Sequence, residues 1–319
     1  MLYNTLVTST SCASTLSKGT SLSCLRSLPF SELNSALNIS ASSLGPFVPV
    51  IDNDFIVTYP STQLSTGKFV RVPLIIGANT DEGTAFGSGY GPNGTGVNTN
   101  TEWLQTLNST GIDPTSDTAA IISALYPDIQ ALGIPSLQTY PAIISPSSAV
   151  AASVGIQFRR VAAYIGDIVV IAPRRASSIA WSNFNVPSYA YRFDVTVNGV
   201  PPLIGATHFQ EVAFVFNNTQ GQGYATDPFG NLTVEESETF QNLAVQMSRS
   251  WVSFITELDP NRNGIKGVNE WPVYNATLGG GVGSDMVFTV NQSSYAEPDT
   301  FRGEGIAWLS ENARDVYGR

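Results

Sequence analysis

The feature that most constrains this chain is Val72-Pro73-Leu74-Ile75-Ile76-Gly77, a short unbroken apolar run closed by glycine. A strand with one solvated face alternates apolar and polar residues. A strand covered on both faces reads instead as continuous Val, Ile and Leu. The run is therefore predicted to be a buried parallel strand. A second segment, Ser188-Tyr189-Ala190-Tyr191-Arg192-Phe193-Asp194, is rich in aromatics and leads to a turn at Asn198-Gly199, which also reads as a strand. The plainest helix spans Val234 to Leu258. Phe240, Leu243, Ala244, Met247, Trp251, Phe254, Ile255 and Leu258 recur along it at three- and four-residue spacing, which predicts a single core-facing stripe. Thr233 with Glu236 forms a capping box at its start, and Asp259-Pro260 stops it. Ile168-Val169-Val170-Ile171-Ala172 leaves two readings, a β-branched strand or a helix capped by Gly166-Asp167 that continues through Arg175 and Trp181. Strands alternating with helices predict an α/β sheet.

At 319 residues the chain is long enough for one large domain of this type. It contains no internal repeat or linker, and Gly87 to Thr101 and Gly279 to Ser284 read as surface loops. The formal charge of −10 disfavours phosphate backbones, so nucleic acid is not an expected partner. The basic pairs Arg159-Arg160 and Arg174-Arg175 read as charges on helix faces. No apolar run is long enough to span a membrane. Cys12 and Cys24 are the only cysteines, and they leave open a small-loop disulfide or two reduced thiols. Asn-x-Ser/Thr acceptors at Asn38, Asn93, Asn108, Asn217, Asn231, Asn275 and Asn291 favour a secreted protein. Met1-Leu2-Tyr3-Asn4 leads into polar residues without a secretory signal, so the expectation is that the signal belongs to a missing upstream part.

His208 is the only histidine and hence the only side chain that titrates near neutrality without perturbation. Taken alone, a single histidine is more often a surface residue, but its setting argues otherwise. It lies in Gly205-Ala206-Thr207-His208-Phe209-Gln210-Glu211-Val212-Ala213-Phe214-Val215-Phe216, after the second strand. Glu82 follows the first strand, in Gly77-Ala78-Asn79-Thr80-Asp81-Glu82-Gly83-Thr84-Ala85-Phe86-Gly87. Loops beyond strand carboxyl ends are where α/β folds place their sites. A carboxylate there can hold an imidazole in one tautomer and stabilise the imidazolium. The competing reading of Asp81-Glu82 is a solvated turn. Phe86, Tyr90 and Trp103 read as packing residues rather than a pocket wall.

Asn79-x-Asp81-Glu82-Gly83-x-x-Phe86 and His208-x-x-Glu211-x-x-Phe214-Val215-Phe216, preceded by Gly45-Pro46-Phe47-Val48-Pro49-Val50-Ile51-Asp52, resemble the type-B carboxylesterase/lipase family, especially its filamentous-fungal secreted members. That family also includes the cholinesterases. Arg174-Arg175, the helix around Trp251, Trp271-Pro272-Val273-Tyr274 and Gly305-Ile306 extend the likeness over nearly the whole chain. The resemblance implies an α/β fold, the carboxyl-terminal part of an α/β-hydrolase with parallel strands and covering helices. Residues 1–319 would then be the carboxyl-terminal portion of a single domain. It further implies that Glu82 is the triad acid, His208 the triad base and Cys12–Cys24 a small-loop disulfide. Glu211 matches an acidic position of the family and reads as structural. A small-molecule or lipid ester is the implied substrate, and no metal or cofactor is implied.

An α/β-hydrolase nucleophile precedes the acid and histidine on a Gly-x-Ser-x-Gly elbow, and this sequence contains no such pentapeptide. Gly19-Thr20-Ser21-Leu22-Ser23 lacks the closing glycine. Gly279-Gly280-Gly281 follows the histidine, in the wrong order for oxyanion donors. Two expectations follow: an ester hydrolase whose amino-terminal, serine-bearing half is absent here, or a catalytically inactive cholinesterase-like interaction module. The chain has no histidine cluster for a metal, and no carboxylate pair suited to glycoside hydrolysis stands out.

Overall fold

The structure is a computed structural model and describes residues 2–38, 49–277 and 281–319. Gly45 to Val48 and Gly279-Gly280 therefore lie outside the described residues. The chain divides into two compact units, Met1–Thr58 and Tyr59–Arg319.

In the first unit, α1 (Leu2–Thr8), α2 (Ser21–Ser27) and α3 (Phe30–Leu37) bury Leu6, Val7, Leu25 and Ala36 around Cys12. Cys12 and Cys24 form a disulfide. Ser21 opens α2 and is buried, with its hydroxyl 2.8 Å from that of Tyr3. It is a helix-start residue in a small core.

The second unit is built on a four-stranded sheet of β1 (Leu74–Asn79), β2 (Ser188–Phe193), β3 (Ser284–Phe288) and β4 (Tyr295–Pro298), which lie side by side in that order. The first three strands are parallel, and β4 runs antiparallel to β3. β1 begins two residues later than the apolar run suggests. Pro73 has no N–H to offer a ladder, the Val72 carbonyl is taken by the Trp181 indole N–H (2.7 Å), and pairing begins with Leu74. The expected burial of both faces applies to β2, where only Arg192 is partly exposed. Leu74 to Gly77 of β1 are only partly buried, because β1 is an edge of the sheet among the described residues.

Helices α4 (Asn100–Ser109), α5 (Asp117–Leu125) and α6 (Phe158–Gly166) share one core, centred on Trp103, Leu107, Ile122, Val161 and Tyr164. All nine residues of α6 are buried. The ambiguous Ile168–Ala172 run is helical. A π-helical turn, Asp167–Ile171, joins α6 directly to α7 (Ala172–Asn183). Gly166-Asp167 is therefore no cap: the buried Asp167 instead receives two hydrogen bonds from Arg302. The short α8 (Val212–Val215) precedes α9 (Val234–Glu257), which carries the expected Thr233–Glu236 capping box. Phe240, Leu243 and Met247 of α9 pack with Tyr191, Phe193, Trp271 and Phe288. Ile255 and Leu258 depart from the predicted stripe and are exposed. At 3.6 residues per turn Ile255 drifts to the margin of the apolar face, and Leu258 has left the helix in a left-handed conformation. Near the end of the chain, α10 (Gly303–Glu311) packs Ile306 and Leu309 into the first core.

The arginine pairs lie on α6 and α7, as expected, but they face inward rather than to solvent. Arg159, Arg160, Arg174 and Arg175 are all buried. Arg159 donates to the carbonyls of Pro135 and Tyr140. Arg160 donates to the Tyr126 carbonyl and sits over the Trp103 ring. Arg174 and Arg175 both reach Asp299. Buried guanidinium groups are tolerated where their five donors find fixed acceptors, and sequence adjacency says nothing about whether those acceptors exist. Among the described residues no helix is long and apolar enough to cross a membrane.

Candidate active site

β1 and β2 are adjacent and parallel, with Asn79 opposite Phe193, so the loops that follow them emerge at the same end of the sheet. Glu82 sits one turn beyond β1, in the 3₁₀ turn Glu82–Ala85. This turn is pressed against α6: a Cβ on Gly83 would collide with the Ala162 carbonyl and the Gly166 nitrogen. Glycine after Glu82 is thus a packing requirement. His208 arrives from the loop after β2, which the left-handed Gly205 (φ 64°) folds back towards the first loop.

These two loops place His208 Nδ1 2.7 Å from Glu82 Oε2. Glu82 is only 3% exposed, and its other oxygen accepts from the Asn79 N–H at 2.8 Å. Burial pushes the Glu82 carboxyl up, while the Asn79 N–H and the His208 hydrogen bond work in the other direction. With Glu82 ionised, Nδ1 carries the proton and donates it, which leaves Nε2 as the basic nitrogen. The His208 side chain is 48% exposed, and its ring lies 5.0 Å from that of Phe86. Trp103, in contrast, is buried in the helical core, with its indole N–H on Ser123.

Sequence reasoning missed how much of the Asn79–Thr84 loop grips the histidine loop. The Asn79 amide donates to the Thr207 carbonyl (2.6 Å) and to Glu211 Oε2 (2.7 Å). The Thr84 hydroxyl lies 2.7 Å from the Ile204 carbonyl and 2.8 Å from the Thr207 hydroxyl. Asp81 is 1% exposed and not solvated. Its N–H donates to the Ala206 carbonyl, and its Oδ2 accepts from the Ala206 N–H, both at 2.9 Å. Among the described residues no group of three or more His, Cys, Asp or Glu side chains is placed to hold a metal ion.

A mostly parallel sheet with covering helices and a carboxylate–histidine pair on adjacent strand-end loops defines an α/β-hydrolase type of architecture. The solved structure of Aspergillus niger EstA has this fold: it superposes with a TM-score of 0.67 at 18% identity, covering 99% of this chain and 55% of that one. Residues 2–280 match the Carboxylesterase family, and the chain belongs to that family. Among its relatives, the secreted triacylglycerol lipase LIP1 of Gibberella zeae is 27% identical over 98% of this chain and 47% of its own length. Secreted lipase 1 of Botryotinia fuckeliana is 26% identical over 99% and 49%, and lipase 2 of Geotrichum candidum is 26% identical over 99% and 49%. The chain thus spans about half the length of the curated relatives it matches.

Proposed function

We propose that residues 1–319 form the carboxyl-terminal portion of one serine carboxylesterase/lipase domain and contribute Glu82 as acid and His208 as base. The 2.7 Å contact between His208 Nδ1 and Glu82 Oε2, at the strand ends of a carboxylesterase-family sheet, carries this reading. The nucleophilic serine and the oxyanion donors belong to residues outside this sequence. In the complete enzyme, the serine Oγ attacks the ester carbonyl as His208 Nε2 takes its proton. The imidazolium, held by Glu82, returns that proton to the departing alkoxide, and water activated by the same nitrogen then releases the acid. The scheme needs no metal or cofactor.

The substrate class is a small-molecule or lipid ester, in keeping with relatives named as lipases. Secretion fits the disulfide and the seven acceptor asparagines, all of which are exposed. The test is the coding sequence in frame upstream of Met1. A Gly-x-Ser-x-Gly elbow there should yield a protein that hydrolyses short-chain nitrophenyl esters, with His208→Ala and Glu82→Gln each lowering kcat by about 10²–10⁴-fold. A native product that begins at Met1, lacks turnover and binds a protein partner would instead favour an inactive cholinesterase-like interaction module.

A further inference from the structure

We infer that Asp81 is a positioning residue: its buried carboxyl group, together with its own N–H, clamps the Ala206 backbone and thereby sets where His208 stands relative to Glu82. This rests on the reading of His208 as the base, although the clamp is a matter of geometry in its own right. Four observations carry it. Asp81 and Ala206 exchange two hydrogen bonds of 2.9 Å, one from each backbone N–H. This two-point link joins loops that are remote in sequence and fixes both distance and orientation, which a single hydrogen bond does not. Ala206 is two residues before His208, so little chain lies between the clamp and the imidazole. The fit is also close. Gly205 adopts φ 64°, and a Cβ there would collide with Asp81 Oδ2, so the carboxyl group occupies space that only glycine leaves open. Finally, Asp81 Oδ1 is buried without a hydrogen-bond partner, a costly placement for a polar atom at a position one residue from the acid.

Thr84 and Asn79 hold the same loop through the Ile204 and Thr207 carbonyls, but each acts from one side only. Asp81 alone both donates to and accepts from one residue. Burial pushes its carboxyl up to about 7, against the Ala206 N–H and the positive charges of Arg302 and Arg192, with Asp194 adding to the rise. Near neutrality the group is thus in part the neutral acid, whose shape and accepting oxygen asparagine reproduces.

The experiment uses the 319-residue chain, in which every imidazole signal belongs to His208. Hydrogen exchange of peptides spanning 203–210 is followed for the parent, Asp81→Ala and Asp81→Asn, with α9 peptides as the internal reference. Carbethoxylation of His208 by diethyl pyrocarbonate is timed on the same samples. Asp81→Ala should exchange about tenfold faster over 203–210, the result of leaving the Ala206 donor without its acceptor. It should also change the His208 modification rate, with α9 unaffected. Asp81→Asn should restore parent behaviour in both readouts. If Asp81→Ala loosens α9 as well, recovery by Asp81→Asn still supports the clamp. Parent-like exchange and modification in Asp81→Ala, or an Asp81→Asn variant no better than alanine, would overturn it. Neither readout involves ester turnover, so an intact clamp alongside an inactive complete, serine-bearing protein would count against the catalytic reading alone.

Discussion

Arg174 and Asp285 meet as a two-point fork, Nη1 to Oδ1 and Nη2 to Oδ2, each at 3.0 Å and both side chains 4% exposed. The fork ties α7 to the start of β3. The same guanidinium reaches Asp299 at 2.7 Å, and the Tyr274 hydroxyl closes the group by donating to Asp299. Although burial opposes it, Arg174 and Arg175 together hold the Asp299 carboxyl below its ordinary range. Removing Arg174 leaves two buried carboxylates with too little positive charge between them. Arg174→Ala should therefore lower the unfolding free energy by about 3–5 kcal/mol in urea titrations. Arg174→Lys should recover only part, because an ammonium cannot make the paired fork. A loss under about 1 kcal/mol for alanine would contradict this account.

Asp81 makes stability depend on pH in a definite direction. Its carboxyl is raised from 3.8 to about 7 in the folded chain, so between those values the native state holds a proton that the unfolded chain has released. Stability is then greatest below the lower value and falls as pH rises towards 7. Urea unfolding at pH 5 and pH 8 should show the parent losing more than Asp81→Asn between the two. Equal losses would mean that Asp81 titrates like an exposed carboxylate.

The isolated chain should be catalytically silent. It pairs Glu82 with His208, but its sequence has no Gly-x-Ser-x-Gly elbow to supply a serine that attacks a carbonyl. Nitrophenyl ester hydrolysis should match a protein blank, and a fluorophosphonate probe should not label it stoichiometrically. Turnover abolished by His208→Ala would point to an unconventional nucleophile in this chain.

Much of the architecture was legible because the relevant patterns are local. Thr233 and Glu236 announce the start of α9 through a reciprocal hydrogen bond between neighbours. The apolar run before Asn79 announces a strand, though the proline's missing N–H moves its start. Glu82 and His208 stood out through their surrounding motifs and lie within hydrogen-bonding distance. What escaped were contacts between distant residues. Arg159-Arg160 and Arg174-Arg175 look like solvated pairs until the carbonyls and carboxylates around them are in place. Asp81 looks like half of an exposed acidic dipeptide until Ala206 is folded against it. Ile168–Ala172 hid its helix because β-branched residues suit strands, and the π-helical turn that accommodates them has no sequence signal of its own.

The partly buried Leu74–Gly77 segment of β1 predicts how the isolated chain behaves at concentration. A parallel edge that is uncovered among the described residues and carries partly exposed apolar side chains recruits other strands. Size-exclusion chromatography should show self-association, and co-production with an elbow-bearing amino-terminal half should reduce it. A monodisperse monomer with a sharp thermal transition, unchanged by that partner, would favour a self-sufficient module.

The side-by-side order of β1, β2, β3 and β4 matches their order along the chain, which gives the sheet a direction of growth. During synthesis, β1 leaves the ribosome long before β2, with α4 to α7 emerging between them. Each later strand is then added on the far side of the one before, and β4, the last among the described residues, ends with Pro298, which has no N–H to offer a further ladder. Among the described residues, growth is thus hindered at one margin and open at the other. Only a segment available before or alongside β1 can cover that margin early, so the timing of its arrival, as much as its affinity, governs whether nascent chains find each other first.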